Sequence, residues 1–132
     1  MAEQHPNVAR YLELIRAFNE NDLDRAKPFC AEDIVYRIAG RSPVAGEYRG
    51  IEEFSRALRL VKELSGNTIS FEPQVVLADD RSVMVYGHAT ARREGKTLDV
   101  DNAYLYRFDG AGRITEGQTI PVDLYAFDEF WS

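Results

Sequence analysis

The segment Ser82–Phe108, "SVMVYGHATARREGKTLDVDNAYLYRF", constrains the fold more than any other part of the chain. Apolar and polar residues alternate along most of it, the period-two pattern of strands with one buried face. Glu94–Gly95 interrupts that pattern where a two-residue hairpin turn would fall. With that turn, Arg93 stands opposite Lys96. The pairing continues as Ala91 with Leu98, Ala89 with Val100, Gly87 with Asn102, Val85 with Tyr104 and Val83 with Tyr106, all on one face. An isolated two-stranded hairpin is marginal in water, so the rest of the chain must supply further strands and a cover for that face.

The cover comes earlier in the chain. From Asn7 to Asn19, Val8, Tyr11, Leu12, Ile15 and Phe18 fall at helical spacing, with Asn7 placed to cap the start. "NDLDRAKPF" begins a second helix, capped by Asn21 or Asp22 and kept short or kinked by Pro28. "AEDIVYRIAG" reads as a brief strand, and "RSPVAGEYRG", with Pro43, Gly46 and Gly50, as a loop. A third helix from about Ile51 to Leu64 places Ile51, Phe54, Leu58, Val61 and Leu64 on one face, and Gly66 suits a left-handed cap.

Strands follow. "TISFEPQVVLA" is imperfect, Pro73 implying an edge or a bulge, and "RITEGQTIPV" is the last strand. The tail "DLYAFDEFW" can form a helical turn capped by Asp123, with Tyr125, Phe127, Phe130 and Trp131 available to pack. Helices first and hairpin-linked strands afterwards is the order of an α+β domain, its helices covering one face of a curved antiparallel sheet.

A four-residue loop "DGAG" would set Phe108 opposite Arg113, Tyr106 beside Thr115, Tyr104 beside Gly117 and Asn102 beside Thr119. The large inward residues Asn102 and Tyr104 are then bordered by Gly87, Ala89, Gly117 and Thr119. A covered sheet face normally fills with Val, Ile and Leu, so these small neighbours predict a pocket.

The 132 residues suit one domain spanning 1–132. No window approaches the roughly 18 apolar residues of a membrane helix, and "MAEQHPNVAR" lacks the features of a signal peptide, so the expected location is the cytoplasm. A net charge of −6 without a basic cluster argues against nucleic acid. The lone cysteine, Cys30, precludes an intrachain disulfide and is expected to be buried and inert.

The chain "YLELIRAFNENDLDRAKPFCAEDIVY", then "YRGIEEF", then "YLYRFDGAGRITEGQTIPVD" resembles the SnoaL-like branch of the NTF2-like superfamily, the fold of ketosteroid isomerase and of the SnoaL polyketide cyclases. The resemblance implies a cone: a curved antiparallel sheet wrapped around three N-terminal helices, with a pocket between them and homodimers through the outer sheet face. It does not imply an activity, because this fold carries several. Where the isomerases have a carboxylate base, this chain has Ile38. At the positions of their oxyanion-hole tyrosine and protonated aspartic acid stand Leu14 and Tyr104. Steroid-type isomerisation is therefore not expected, since Tyr104 can donate a hydrogen bond but no base is present.

The expected pocket wall comprises Leu14, Phe18, Tyr36, Ile38 and Phe54 from the cover, and Val85, Gly87, Ala89, Asn102, Tyr104, Tyr106, Gly117 and Thr119 from the sheet. Asn102 and Tyr104 are the candidates for holding a polar oxygen, or else they bond each other or a buried water. His88 and Asp101 face each other on the outer side, as an acid–base dyad or, the reading preferred, a structural pair at the surface or a dimer contact. Asp99 and Asp101 lack a third ligand of suitable spacing, so neither a metal nor another cofactor is expected. Arg37 or Arg41 could meet an anionic ligand at the mouth or form surface ion pairs, and Glu116 is expected to face outward. Two readings remain: a pocket protein that binds a small apolar or aromatic molecule, with or without transforming it as a cyclase, isomerase or hydrolase, or a non-catalytic dimeric module.

Overall fold

The computed structural model describes residues 5–132. Helix α1 (Pro6–Asn19) carries the predicted apolar stripe but starts one residue earlier than expected. Pro6 sits in the first turn, where a missing amide hydrogen is harmless, and His5 rather than Asn7 is the cap, its Nδ1 accepting from the Asn7 amide at 3.1 Å. Asn7 is buried instead. Its Nδ2 donates to the Asp79 carbonyl at 3.2 Å, and its Oδ1 accepts from Arg10 Nη1 at 2.7 Å, which ties α1 to a distant turn. A 3-10 helix, Leu23–Phe29, contains Pro28, and neither Asn21 nor Asp22 caps it: Asp22 occupies the cap position but makes no side-chain hydrogen bond there.

Strand β1 (Cys30–Ile38) is longer than the brief strand expected. The region expected to be a loop contains β2 (Gly46–Arg49), which pairs antiparallel with β1 from Val35 opposite Arg49 to Ile38 opposite Gly46. Its four residues carry no run of β-formers, and what makes them a strand is the unpaired edge of β1. Helix α2 (Ile51–Leu64) lies where its spacing predicts, and Gly66 has the expected positive φ, 58°. Edge strand β3 (Ser70–Ala78) is bulged between Pro73 and Val75.

Strands β4 (Ser82–Arg93) and β5 (Lys96–Phe108) pair along all twelve residues of β4 in the predicted register. The pairing of β5 with β6 (Ile114–Pro121) differs from expectation. Asp109 and Arg113 bond across a shorter loop, which moves Phe108 opposite Ile114, and a bulge at Thr115 adds a second residue. Thr119 therefore stands opposite Tyr104, not Asn102, and Gly117 opposite Tyr106, not Tyr104. Two single-residue shifts preserve the period of two, so the inward face is unchanged although every partner on it moves.

The sheet runs β2-β1-β6-β5-β4-β3, and it is curved and open. β1 and β6 are parallel, with Tyr36 opposite Gly117 and Ile38 opposite Thr119, a departure from the purely antiparallel expectation. Most of the chain lies between those strands, so no hairpin imposes the opposite sense. Helix α3 (Leu124–Trp131) is longer than the single turn expected, with Asp123 Oδ1 accepting from the Ala126 amide at 3.0 Å. Arg93 Nη1 donates to the Phe130 and Ser132 carbonyls, each at 2.9 Å, fixing α3 against the β4–β5 hairpin. Helices α1, α2 and α3 and the inner sheet face share one apolar core. Among the described residues no helix is long and apolar enough to cross a membrane.

Candidate functional site

The inner face of the sheet, α1, α2 and α3 surround a cavity of about 80 Å³. Of the residues expected on its wall, Leu14, Phe18, Tyr36, Ile38 and Phe54 line it from the cover and from β1. Ala89, Asn102, Tyr104, Tyr106 and Thr119 line it from the other strands. Val85, Gly87 and Gly117 do not. A Cβ on Gly87 would lie 2.3 Å from the Glu72 carbonyl oxygen and 2.6 Å from Phe71 Cζ, and one on Gly117 would lie 3.0 Å from the Tyr106 ring. The space above both glycines is already filled, by the bulged β3 and by an aromatic ring. Small residues that do line the open volume are Ala89, Thr119 and Ala57.

Several lining residues lay outside the sequence expectation. Tyr11 and Ile15 come from α1, Ile69 from the residue just before β3, Phe71 from its start, and Phe127 and Trp131 from α3. The signal for Tyr11 was its place on the apolar stripe of α1. Nothing local in "DLYAFDEFW" announces that Trp131 closes the cone. Among the lining residues, Ile15 and Phe18 of α1 and Leu58 and Val61 of α2 are only half buried.

Four tyrosines organise the interior. The rings of Tyr11 and Tyr106 have centroids 5.3 Å apart, and those of Tyr104 and Tyr106 are 6.3 Å apart and stacked. Tyr36 meets Phe54 edge to face at 5.1 Å, and its hydroxyl lies 2.6 Å from Thr119 Oγ1. Burial pushes the Tyr104 and Tyr106 phenols well above their ordinary range, reinforced by the neighbouring Tyr36. Burial raises Tyr11 in the same way, and Tyr104 and Tyr36 add to it. At neutral pH these hydroxyls keep their protons.

Asn102 is 1% exposed, and its Nδ2 donates to the Tyr104 hydroxyl at 3.3 Å. Its Oδ1 has no hydrogen-bond partner, and neither does the Tyr11 hydroxyl or Trp131 Nε1. Among the described residues the lining includes no Asp, Glu, His, Lys, Arg or Cys. The arrangement can orient a polar group within an apolar space, but it offers no general base poised near neutral pH.

The other candidates stand elsewhere. Arg37 lies outside the cavity and pairs with Glu47 at 2.9 Å and with Glu116 at 3.9 Å, so Glu116 faces outward. The Arg41 amide bonds both carboxylate oxygens of Asp128, and Arg41 is not on the wall. On the outer face, His88 Nδ1 lies 2.8 Å from Asp101 Oδ1, its Nε2 contacts Asp99 Oδ1, and the Tyr86 hydroxyl donates to Asp101 Oδ2 at 2.8 Å. The sheet separates this cluster from the cavity. Among the described residues no group of three or more His, Cys, Asp or Glu has a metal-holding arrangement.

A mixed fold of this kind, a curved open sheet with helices packed on it, is shared with NTF2-like proteins. The chain belongs to the SnoaL-like family, whose domain model matches residues 8–117. It is 29% identical over 126 residues to the uncharacterised protein Rv0034 of Mycobacterium tuberculosis, covering 92% of this chain and 95% of that one. Bal32a, from a soil-derived mobile gene cassette, is 31% identical with a TM-score of 0.91 over 96% of both chains. TerC, co-crystallised with polyporic acid, shares the fold at 20% identity, with a TM-score of 0.84 over 96% of this chain and 98% of that one.

Proposed function

We propose that this SnoaL-like protein binds a small apolar or aromatic molecule inside the cone, with Asn102 and Tyr104 holding its polar group, and that it lacks acid–base chemistry of its own. The observation that carries the reading is the makeup of the wall: apolar and aromatic residues, a few convergent polar atoms and, among the described residues, no ionised group. Such a wall suits recognition. A reaction that moves a proton between carbons needs a base, and phenols held protonated by burial do not supply one.

At about 80 Å³ the cavity is well below the roughly 300–1,000 Å³ of drug-sized sites and below the roughly 150 Å³ that admits benzene in an engineered core. The occupant is therefore no larger than one ring, and even a single ring requires the cavity to widen by movement of its half-buried lining side chains, such as Ile15, Phe18, Leu58 and Val61. Thermal unfolding with single-ring probes tests the reading. A probe at a hundred times its Kd adds about 2.7 kcal/mol of stability. Ala89→Leu, which fills the cavity from the sheet, should abolish that shift, and a shift that survives it would place binding elsewhere.

A second feature favours self-association. Val75 and Leu77 on β3, Met84 and Tyr86 on β4, and Ile120 on β6 form an exposed apolar row on the outer face. We propose that a second copy of the chain covers this row. Light scattering should then give a dimer mass for the native chain and a monomer mass for Leu77→Lys/Met84→Lys. A monomeric native chain at tens of micromolar would rule the dimer out.

A further inference from the structure

We infer that the cavity selects a small neutral ligand that donates a hydrogen bond, a hydroxyl-bearing single ring or smaller, and that the Asn102 carbonyl is the selecting atom. This rests on the binding reading above. Three polar atoms in the interior have no partner: the Tyr11 hydroxyl, Asn102 Oδ1 and Trp131 Nε1. Their residues are 0%, 1% and 1% exposed, and all three line the same cavity. A buried polar group left unpaired is costly, and three around one space indicate what that space is built to receive.

The chemistry of the three is not equivalent. The indole N–H of Trp131 can only donate, the Tyr11 hydroxyl can donate or accept, and the Asn102 carbonyl can only accept. Asn102 Nδ2 is already committed to the Tyr104 hydroxyl at 3.3 Å, which leaves the carbonyl oxygen as the free end of that amide. A hydroxyl both donates and accepts at one atom, so it carries both of the functions that these three atoms lack. A ketone or aldehyde presents lone pairs alone, so it can accept from Tyr11 or Trp131 but leaves the Asn102 carbonyl unpaired. A carboxylate does the same and also brings a charge into an apolar space where, among the described residues, no cation lines the wall.

Calorimetric or NMR titration of the whole protein with phenol, toluene, benzaldehyde and benzoate, probes of similar size, tests this. Phenol should bind about tenfold more tightly than toluene or benzaldehyde, the order of one net hydrogen bond, and benzoate should not bind. In Asn102→Leu the preference for phenol over toluene should collapse while toluene affinity is kept. The ranking of probes by the native protein stands even if that variant does not fold. Toluene equal to phenol, or benzaldehyde or benzoate tighter than phenol, overturns the donor requirement and leaves the binding reading intact. No binding by any of the four overturns both.

Discussion

The ring of Phe71 occupies the place where a side chain on Gly87 would stand: a Cβ there would lie 2.6 Å from Phe71 Cζ. The same Cβ would lie 2.9 Å from Pro73 Cα and 2.3 Å from the Glu72 carbonyl oxygen, and backbone at a bulge cannot retreat as a flexible side chain can. Gly87→Ala should therefore destabilise by about 2–3 kcal/mol, as overpacking does, measured as a drop in the urea midpoint. Stability within 0.5 kcal/mol of the native protein, taken as roughly the surface-mutation range, would show that β3 can move away from β4.

Thr119→Val keeps the shape but leaves the buried Tyr36 hydroxyl without the partner 2.6 Å away. The expected loss is about 1–3 kcal/mol. Adding Tyr36→Phe should restore part of it, because the unpaired group is then removed. A double-mutant cycle with no coupling would mean that the two hydroxyls do not depend on each other.

His88 should titrate above its ordinary value, because Asp101 and then Asp99 accept from its ring. Protonated His88 therefore favours the fold below the unfolded pKa of about 6.5, and this contribution fades as pH rises through the raised folded value. Asp101 is lowered by His88 and Tyr86, so its contribution is present above its unfolded pKa and fades as pH falls through the lowered folded one. NMR titration of the His88 ring should show the raised value and its return toward normal in Asp101→Asn. A native value at or below the ordinary one would contradict the pairing.

Cys30 is buried, its Sγ lies 3.6 Å from the Ala26 carbonyl oxygen, and burial pushes its thiol up to about 12. The native protein should react with a thiol-specific disulfide reagent only as fast as it opens, and at once in denaturant. Rapid reaction of the folded chain would show that β1 frays at its first residue.

Removing the anchor of α3 should loosen the end of the cone. Arg93→Ala deletes the hydrogen bonds to the Phe130 and Ser132 carbonyls, and amide exchange in Phe127–Trp131 should quicken by about an order of magnitude while exchange in β4 and β5 holds. Uniform change across the sheet would indicate global destabilisation instead.

Local chemistry made much of this legible in the chain itself. The apolar spacing of α2, the turn at Glu94–Gly95, the edge and bulge at Pro73 and the cap at Asp123 each depend on residues close in sequence. Period two also determined which side chains of β4, β5 and β6 face inward, and that survived a loop and a bulge that together moved β6 by two residues. Only the tertiary structure decided what lies against that face. It brought β6 parallel to β1, made a strand of Gly46–Arg49, filled the space above Gly87 and Gly117, and put Trp131 on the same cavity wall as Asn102 and Tyr11. Periodicity says which residues leave water, but the volume left among them depends on side chains that arrive from distant parts of the chain.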